Sequence, residues 1–118
     1  MAKVTGVGGV FFKCADPKAL AAWYRENFGL DVEDWGGVQF QPSTGVLVWT
    51  PFRQDTDHFA PSTREFMLNF AVDDLDGLIA QLAAKGIAIL NREDSEYGRF
   101  AWLLDPAGIK IELWEAKG

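Results

Sequence analysis

Apolar residues fall at helical spacing in two stretches of the chain. In the first, Leu20, Trp23, Tyr24 and Phe28 follow one another three or four positions apart, the stripe of a helix that buries one face. Asp16 can accept a bond from an unpaired N–H at its start, Pro17 has no N–H to waste there, and Gly29 supplies a left-handed stop. The second stretch repeats the scheme. Asp73 or Asp74 caps, Leu75, Leu78, Ile79 and Leu82 form the stripe, and Gly86 closes it. Elsewhere the pattern shortens to runs of strand type. Residues 10–15 and 67–72 precede the two helices. Residues 32–34, 38–41 and 45–49 follow the first, and 87–90, 100–104 and 109–114 follow the second. Turn chemistry separates them at Gly36-Gly37, at 42–45 and at 105–108.

The chain therefore states one unit twice, strand–helix–three strands, which predicts an α+β fold of two βαβββ modules. Module one spans 5–50, a linker spans 51–65 and module two spans 66–116, in a single domain. Neither sheet can cover its own apolar face, so the copies must join, with helices on one side. Alternation along the strands then sorts the residues. Val10, Phe12 and Cys14, Leu68, Phe70 and Val72, and Ile109, Ile111 and Leu113 face the helices. Gly9, Phe11 and Lys13, Met67, Asn69 and Ala71, and Lys110, Glu112 and Trp114 face the other way, joined by Leu47 and Trp49. This second face mixes aromatic and polar groups, as ligand clefts do.

Composition narrows the classes. Nine Phe and five Trp in 118 residues exceed what a core of this size needs. A formal net charge of −6 disfavours nucleic acid and anionic membrane, both of which need clustered Lys and Arg, and suits a neutral or cationic ligand. No apolar run reaches the roughly 18 residues of a membrane span, and the start is not that of a signal peptide. One cysteine, Cys14, allows no internal disulfide and no thiolate cage. A cytoplasmic protein is the expectation.

Three segments carry a family resemblance. Gly9-Val-Phe-Phe-Lys-Cys-Ala-Asp16, with Trp23-Tyr24 and Asn27-Phe28-Gly29-Leu30, resembles the opening of vicinal oxygen chelate proteins. That superfamily includes glyoxalase I, bleomycin-resistance proteins, extradiol dioxygenases and methylmalonyl-CoA epimerase. Met67-Leu-Asn-Phe-Ala-Val-Asp-Asp74 is similar to the start of its second module, and Asp105-Pro-Ala-Gly-Ile-Lys-Ile-Glu112-Leu113 to its closing signature. The resemblance implies a curved mixed sheet that forms a cleft, with helices outside, and commonly a dimer. Metal-dependent members place two ligands per module on the cleft face. The corresponding positions here are Gly9, Trp49, Met67 and Glu112, and only Glu112 is a plausible hard ligand. No metal or other cofactor is therefore expected.

Two functions remain. The first is a metal-free binding module of bleomycin-resistance type, with Phe11, Trp49, Met67 and Trp102 as apolar walls. Lys13, Asn69, Tyr97, Lys110 and Glu112 would orient the ligand. The second is an enzyme on a small carbonyl or thioester substrate, with Glu112 as general base or as a rudimentary metal ligand. Against both, Glu112 is open to a bland pairing with Lys110 or Lys13. His58, preceded in the linker by Asp55 and Asp57, is read as a surface-loop histidine ahead of a catalytic or metal-binding one, though Phe52 and Phe59 suggest that its loop folds over something apolar. Arg99 is either an anion clamp or a solvated turn residue. Trp35 is expected at a rim or dimer contact, and Cys14 as an inert core thiol. Surplus aromatics and uncovered sheet edges predict a homodimer.

Overall fold

The computed structural model describes residues 10, 12, 14–40 and 52–117. Six elements lie among them: helix α1 (Pro17–Phe28), strand β1 (Met67–Ala71), helix α2 (Leu75–Ala84), and strands β2 (Asn91–Ser95), β3 (Gly98–Leu104) and β4 (Lys110–Ala116). The predicted strand 45–49, with residues 9, 11, 13, 41 and 51, lies outside the described residues.

Both helices start where the caps place them. Asp16 accepts the Ala19 N–H at 3.1 Å, and Asp74 accepts that of Gly77 at 3.0 Å. Gly29 ends α1 at φ +69. Helix α2 stops at Ala84, with Lys85 as its cap and Gly86 at φ +76 just after. Strand β1 leads through α2 into three antiparallel-linked strands, so the second half is a βαβββ unit. The sheet order is β1-β4-β3-β2, with β1 parallel to β4 and the other pairs antiparallel. A mixed sheet with flanking helices results.

The core lies between sheet and helices. Leu75, Leu82, Ala101, Leu103 and Ile111 are fully buried, and Leu20, Tyr24 and Leu113 complete the cluster. Residues 101, 103, 111 and 113 share one face by register. Burying each Leu or Ile contributes roughly 1.5–3 kcal/mol. Tyr24 adds a polar anchor: its hydroxyl donates to Asp105 Oδ2 at 2.6 Å, while Asp105 Oδ1 accepts the Ala107 and Ile109 N–H groups at 2.8 and 2.9 Å. Helix α1 is thereby bolted to the β3–β4 turn. Burial, and then the Asp105 carboxylate, push the Tyr24 hydroxyl well above the usual phenol range.

Several expectations need correction. Residues 32–34 and 38–40 form no strands. Their backbone closes a tight turn, in which Glu33 N–H meets the Gly37 carbonyl and Gly36 N–H the Glu33 carbonyl, both at 2.9 Å. Residues 87–90 are not a strand either. Ile87 and Ile89 pack against the core from the connection after α2, and only the Leu90 N–H joins the sheet, on the Trp102 carbonyl at 2.7 Å. The strand is the polar run 91–95, whose first four residues are exposed. An edge strand needs no apolar alternation, so periodicity missed it. Of the first predicted strand, Cys14 packs on the core, whereas Val10 is exposed and Phe12 leans on Phe66, with ring centroids 6.1 Å apart.

Candidate functional site

The pleat that sends Ile111 and Leu113 to the helices sends Lys110, Glu112 and Trp114 to the opposite face. Register adds their neighbours. Asn69 and Trp102 flank Glu112, Phe100 flanks Trp114, and Met67 flanks Lys110. Beyond them, on the edge strand, come Asn91 and Glu93.

Glu112 is the hub of this face. Asn69 Nδ2 donates to its Oε1 at 2.7 Å, and Trp102 Nε1 donates to its Oε2 at 2.8 Å. A third nitrogen comes from outside the sheet: His58 Nε2 lies 3.4 Å from Oε2. The carboxylate is thus fixed in place, with two contacts on Oε2 and one on Oε1 among the described residues. Such a group is a strong anionic acceptor.

Aromatic rings make the floor. Phe100 lies nearly parallel to Trp102 (5.9 Å, 10°) and to Trp114 (6.2 Å, 5°). The Trp114 Nε1–H is held by the Tyr97 carbonyl at 3.0 Å. His58 stands edge-on to Trp102 (6.0 Å, 85°) and stacks flat on Phe52 (5.4 Å, 3°). Lys110 is buried beside Trp102, its Nζ 5.8 Å from the ring centroid, and donates to the His58 carbonyl. Burial lowers the pKa of Lys110, opposed by the carboxylates of Glu112 and Asp57. An open depression of about 290 Å³ adjoins these groups, lined by His58, Leu90, Asn91, Glu93, Trp102 and Lys110 among others.

The structure therefore brings Asn69, Trp102, Lys110 and Glu112 together, with Met67 one residue pair away on the same face. Tyr97 sits apart, 70% exposed at the turn before β3. Phe11, Lys13 and Trp49 lie outside the described residues. The bland pairing of Glu112 with Lys110 is not made: the lysine reaches the His58 carbonyl instead. His58 is no surface bystander, because the segment 52–65 is strapped to the sheet. Ser62 Oγ donates to the Gly108 carbonyl, and Arg64 Nη2 to the Ala107 carbonyl at 3.2 Å. Its flanking phenylalanines carried that signal. Phe100 was overlooked too, although it shares its parity with Trp102. Arg99 is not a cleft clamp: at the solvent-reached edge it holds Asp76 of α2 through two bonds of 2.9 and 3.1 Å.

Among the described residues, no group of three or more His, Cys, Asp or Glu side chains is placed to hold a metal ion. The donors around Glu112 do not fit one either. An indole N–H and an amide N–H aim hydrogens at the oxygen lone pairs that a cation would use. Nor is any helix among the described residues long and apolar enough to cross a membrane.

The family model described as "Glyoxalase-like domain" matches residues 9–114. Solved structures agree in fold. A protein of unknown function from Agrobacterium tumefaciens str. C58 superposes with a TM-score of 0.66 at 22% identity, over 98% of each chain. An antibiotic-binding protein from Streptomyces sp. CB03234 gives 0.65 at 21% identity, over 99% of this chain and 100% of that one. A lactoylglutathione lyase from Agrobacterium tumefaciens gives 0.64 at 22%, over 97% and 96%. No curated protein matches the sequence.

Proposed function

This chain belongs to the glyoxalase-like domain family of the vicinal oxygen chelate superfamily, and from that premise we propose that it is a metal-free binding protein for a cationic aromatic small molecule. The observation that carries the reading is Glu112, an anionic acceptor held by Asn69 and Trp102 at the edge of a three-ring floor. A flat apolar bed with one fixed carboxylate recognises a flat cation by stacking and charge together. The net charge of −6 favours the same sign of ligand. One structural neighbour is described as an antibiotic-binding protein, which makes sequestration a natural use of the fold. The single domain 1–118 and a homodimeric state belong to the same proposal.

Trp102 and Trp114 in the floor provide the assay. Titration with cationic aromatic probes should quench tryptophan emission saturably, while anionic probes of equal size should not. Equal response to both signs, or no saturable response to either, would sink the reading.

The His58–Glu112 contact favours a second function. An imidazole oriented by a carboxylate is a general acid–base pair, suited to isomerising a small carbonyl or thioester substrate. Solvent deuterium entering the α-carbon of such a compound, and lost in both His58→Ala and Glu112→Gln, would select this reading over sequestration.

A further inference from the structure

Two features that mark the cleft as a site for a cation, Glu112 and Trp102, are already engaged by a side chain of the protein itself. His58 lies flat on Phe52, stands against Trp102 and points Nε2 at Glu112. We propose that His58 is a built-in occupant of the cleft, and that the ligand which replaces it is a planar nitrogen cation of the amidinium or imidazolium type. This inference rests on the binding reading above and names its ligand class.

Geometry supports displacement over permanent closure. Of the three donors on Glu112, His58 is the most distant, at 3.4 Å against 2.7 and 2.8 Å for Asn69 and Trp102. Hydrogen bonds at that length are near the end of their useful range, so exchanging this one for a shorter bond from a ligand is favourable. The side chain is also 38% exposed, which gives the ring a way out. Its backbone need not follow. Ser62 and Arg64 hold the end of the strap on the Gly108 and Ala107 carbonyls, independently of the imidazole. The space vacated by the ring would open into the adjoining depression of about 290 Å³. Together they reach the lower end of the size range of small-molecule sites, roughly 300 Å³ and upward, enough for one or two rings.

The chemistry of the replacement follows from what His58 uses. The ligand must be flat to stack on Phe52 as the imidazole does, edge-on to Trp102, and must present an N–H to Glu112 Oε2. Glu93, beside the depression, adds a second carboxylate. Lys110 opposes a cation there, but its ammonium feels the opposite charges of Glu112 and Asp57 and is already committed to the His58 carbonyl. Two diverging N–H groups, as in an amidinium, would reach both carboxylate oxygens of Glu112.

An internal occupant lowers apparent affinity by the fraction of molecules in which it is out. Calorimetric titration with benzamidinium, and with neutral benzamide, should compare wild type, His58→Ala and His58→Ala/Glu112→Gln. His58→Ala is expected to bind benzamidinium about tenfold tighter than wild type or better, to bind benzamide far more weakly, and to lose its gain with Glu112→Gln. Equal or weaker benzamidinium binding in His58→Ala would overturn self-occlusion while leaving the cationic site intact. Benzamide binding as tightly as benzamidinium would overturn the ligand class. No binding by any of the proteins would remove the binding reading and this inference together. Circular dichroism checks the fold of each variant. His58→Phe keeps the stack but loses the N–H, so it should tighten binding by a smaller factor, and it decides the matter if the alanine variant unfolds.

Discussion

Adjacent residues of β4 belong to two different regimes. Ile111 and Leu113 face the helices, fully buried among apolar side chains. Lys110, Glu112 and Trp114 face the cleft, among aromatic rings and polar atoms that bond chiefly to one another. The helix side is closed and single-purpose. On the cleft side, each polar group is positioned by a neighbour and stands beside an open depression. Stability belongs to one face and recognition to the other, a few ångströms apart through the same backbone.

The sharpest way to break that division is to cut each face at neighbouring positions. Ile111→Ala should cost about 2–5 kcal/mol, the usual range for truncating a fully buried isoleucine, while leaving the affinity of the surviving folded protein for a cationic aromatic probe unchanged. Glu112→Gln should do the reverse, holding the melting temperature near wild type and abolishing probe binding. Denaturant melts paired with fluorescence titration test both. If Ile111→Ala altered affinity as much as Glu112→Gln, the two faces would be coupled and the division would fail.

Alkaline pH offers a gentler test, because each face carries one perturbed group and the two act with opposite sign. Tyr24 keeps its proton in the folded state beyond the ordinary phenol value of about 10. The unfolded chain then loses that proton first, so stability is complete below about pH 10 and falls as pH rises further. Tyr24→Phe should remove this decline, at a cost of about 1–3 kcal/mol at neutral pH for the stranded Asp105 carboxylate. Lys110 has a folded-state pKa below the ordinary lysine value of about 10.4. Its penalty is fully present while both states are protonated. It is relieved as pH rises through the folded pKa, so this group makes the protein more stable with alkalinity. Lys110→Met should flatten that rise. Thermal melts across the alkaline range in the two variants separate the contributions, and slopes of equal sign would refute the assignment.

How much of this was legible beforehand also divides by face. The helices and the buried stripe could be read directly, since caps and three-to-four spacing are local signals: Asp16, Pro17 and Gly29 bound α1 as their chemistry requires. The alternation of β4 gave both of its faces, and therefore Glu112. What could not be read was long-range. Nothing local says that Asn91–Ser95 is a strand, because an exposed edge has no apolar period to display. Nor does spacing reveal that His58 crosses to Glu112, 54 positions later, because that contact depends on the path of the whole strap. Arg99 was misjudged for the same reason, its partner Asp76 being set by the packing of α2 on the sheet.

That last pair marks a third region, between core and cleft, where the smallest effect is expected. Asp76 lies in the first turn of α2 and bridges Arg92 of β2 and Arg99 of β3. Hydrogen bonds from Arg92, then Arg99, hold its carboxyl below the usual carboxylate range. Its contribution is therefore present at neutral pH and is lost as pH falls through that lowered value. The N-terminus of a helix adds a favourable dipole. Water reaches all three side chains, however, so ions compete for the bridge. Asp76→Asn should lower the melting temperature slightly at low salt and not at all near 1 M NaCl. Probe affinity should stay constant, because Arg99 turns away from the cleft. A salt-insensitive loss, or any loss of affinity, would mean that this bridge fixes the β2 edge on which Asn91 and Glu93 line the site, and the boundary of the cleft would then have to be drawn to include it.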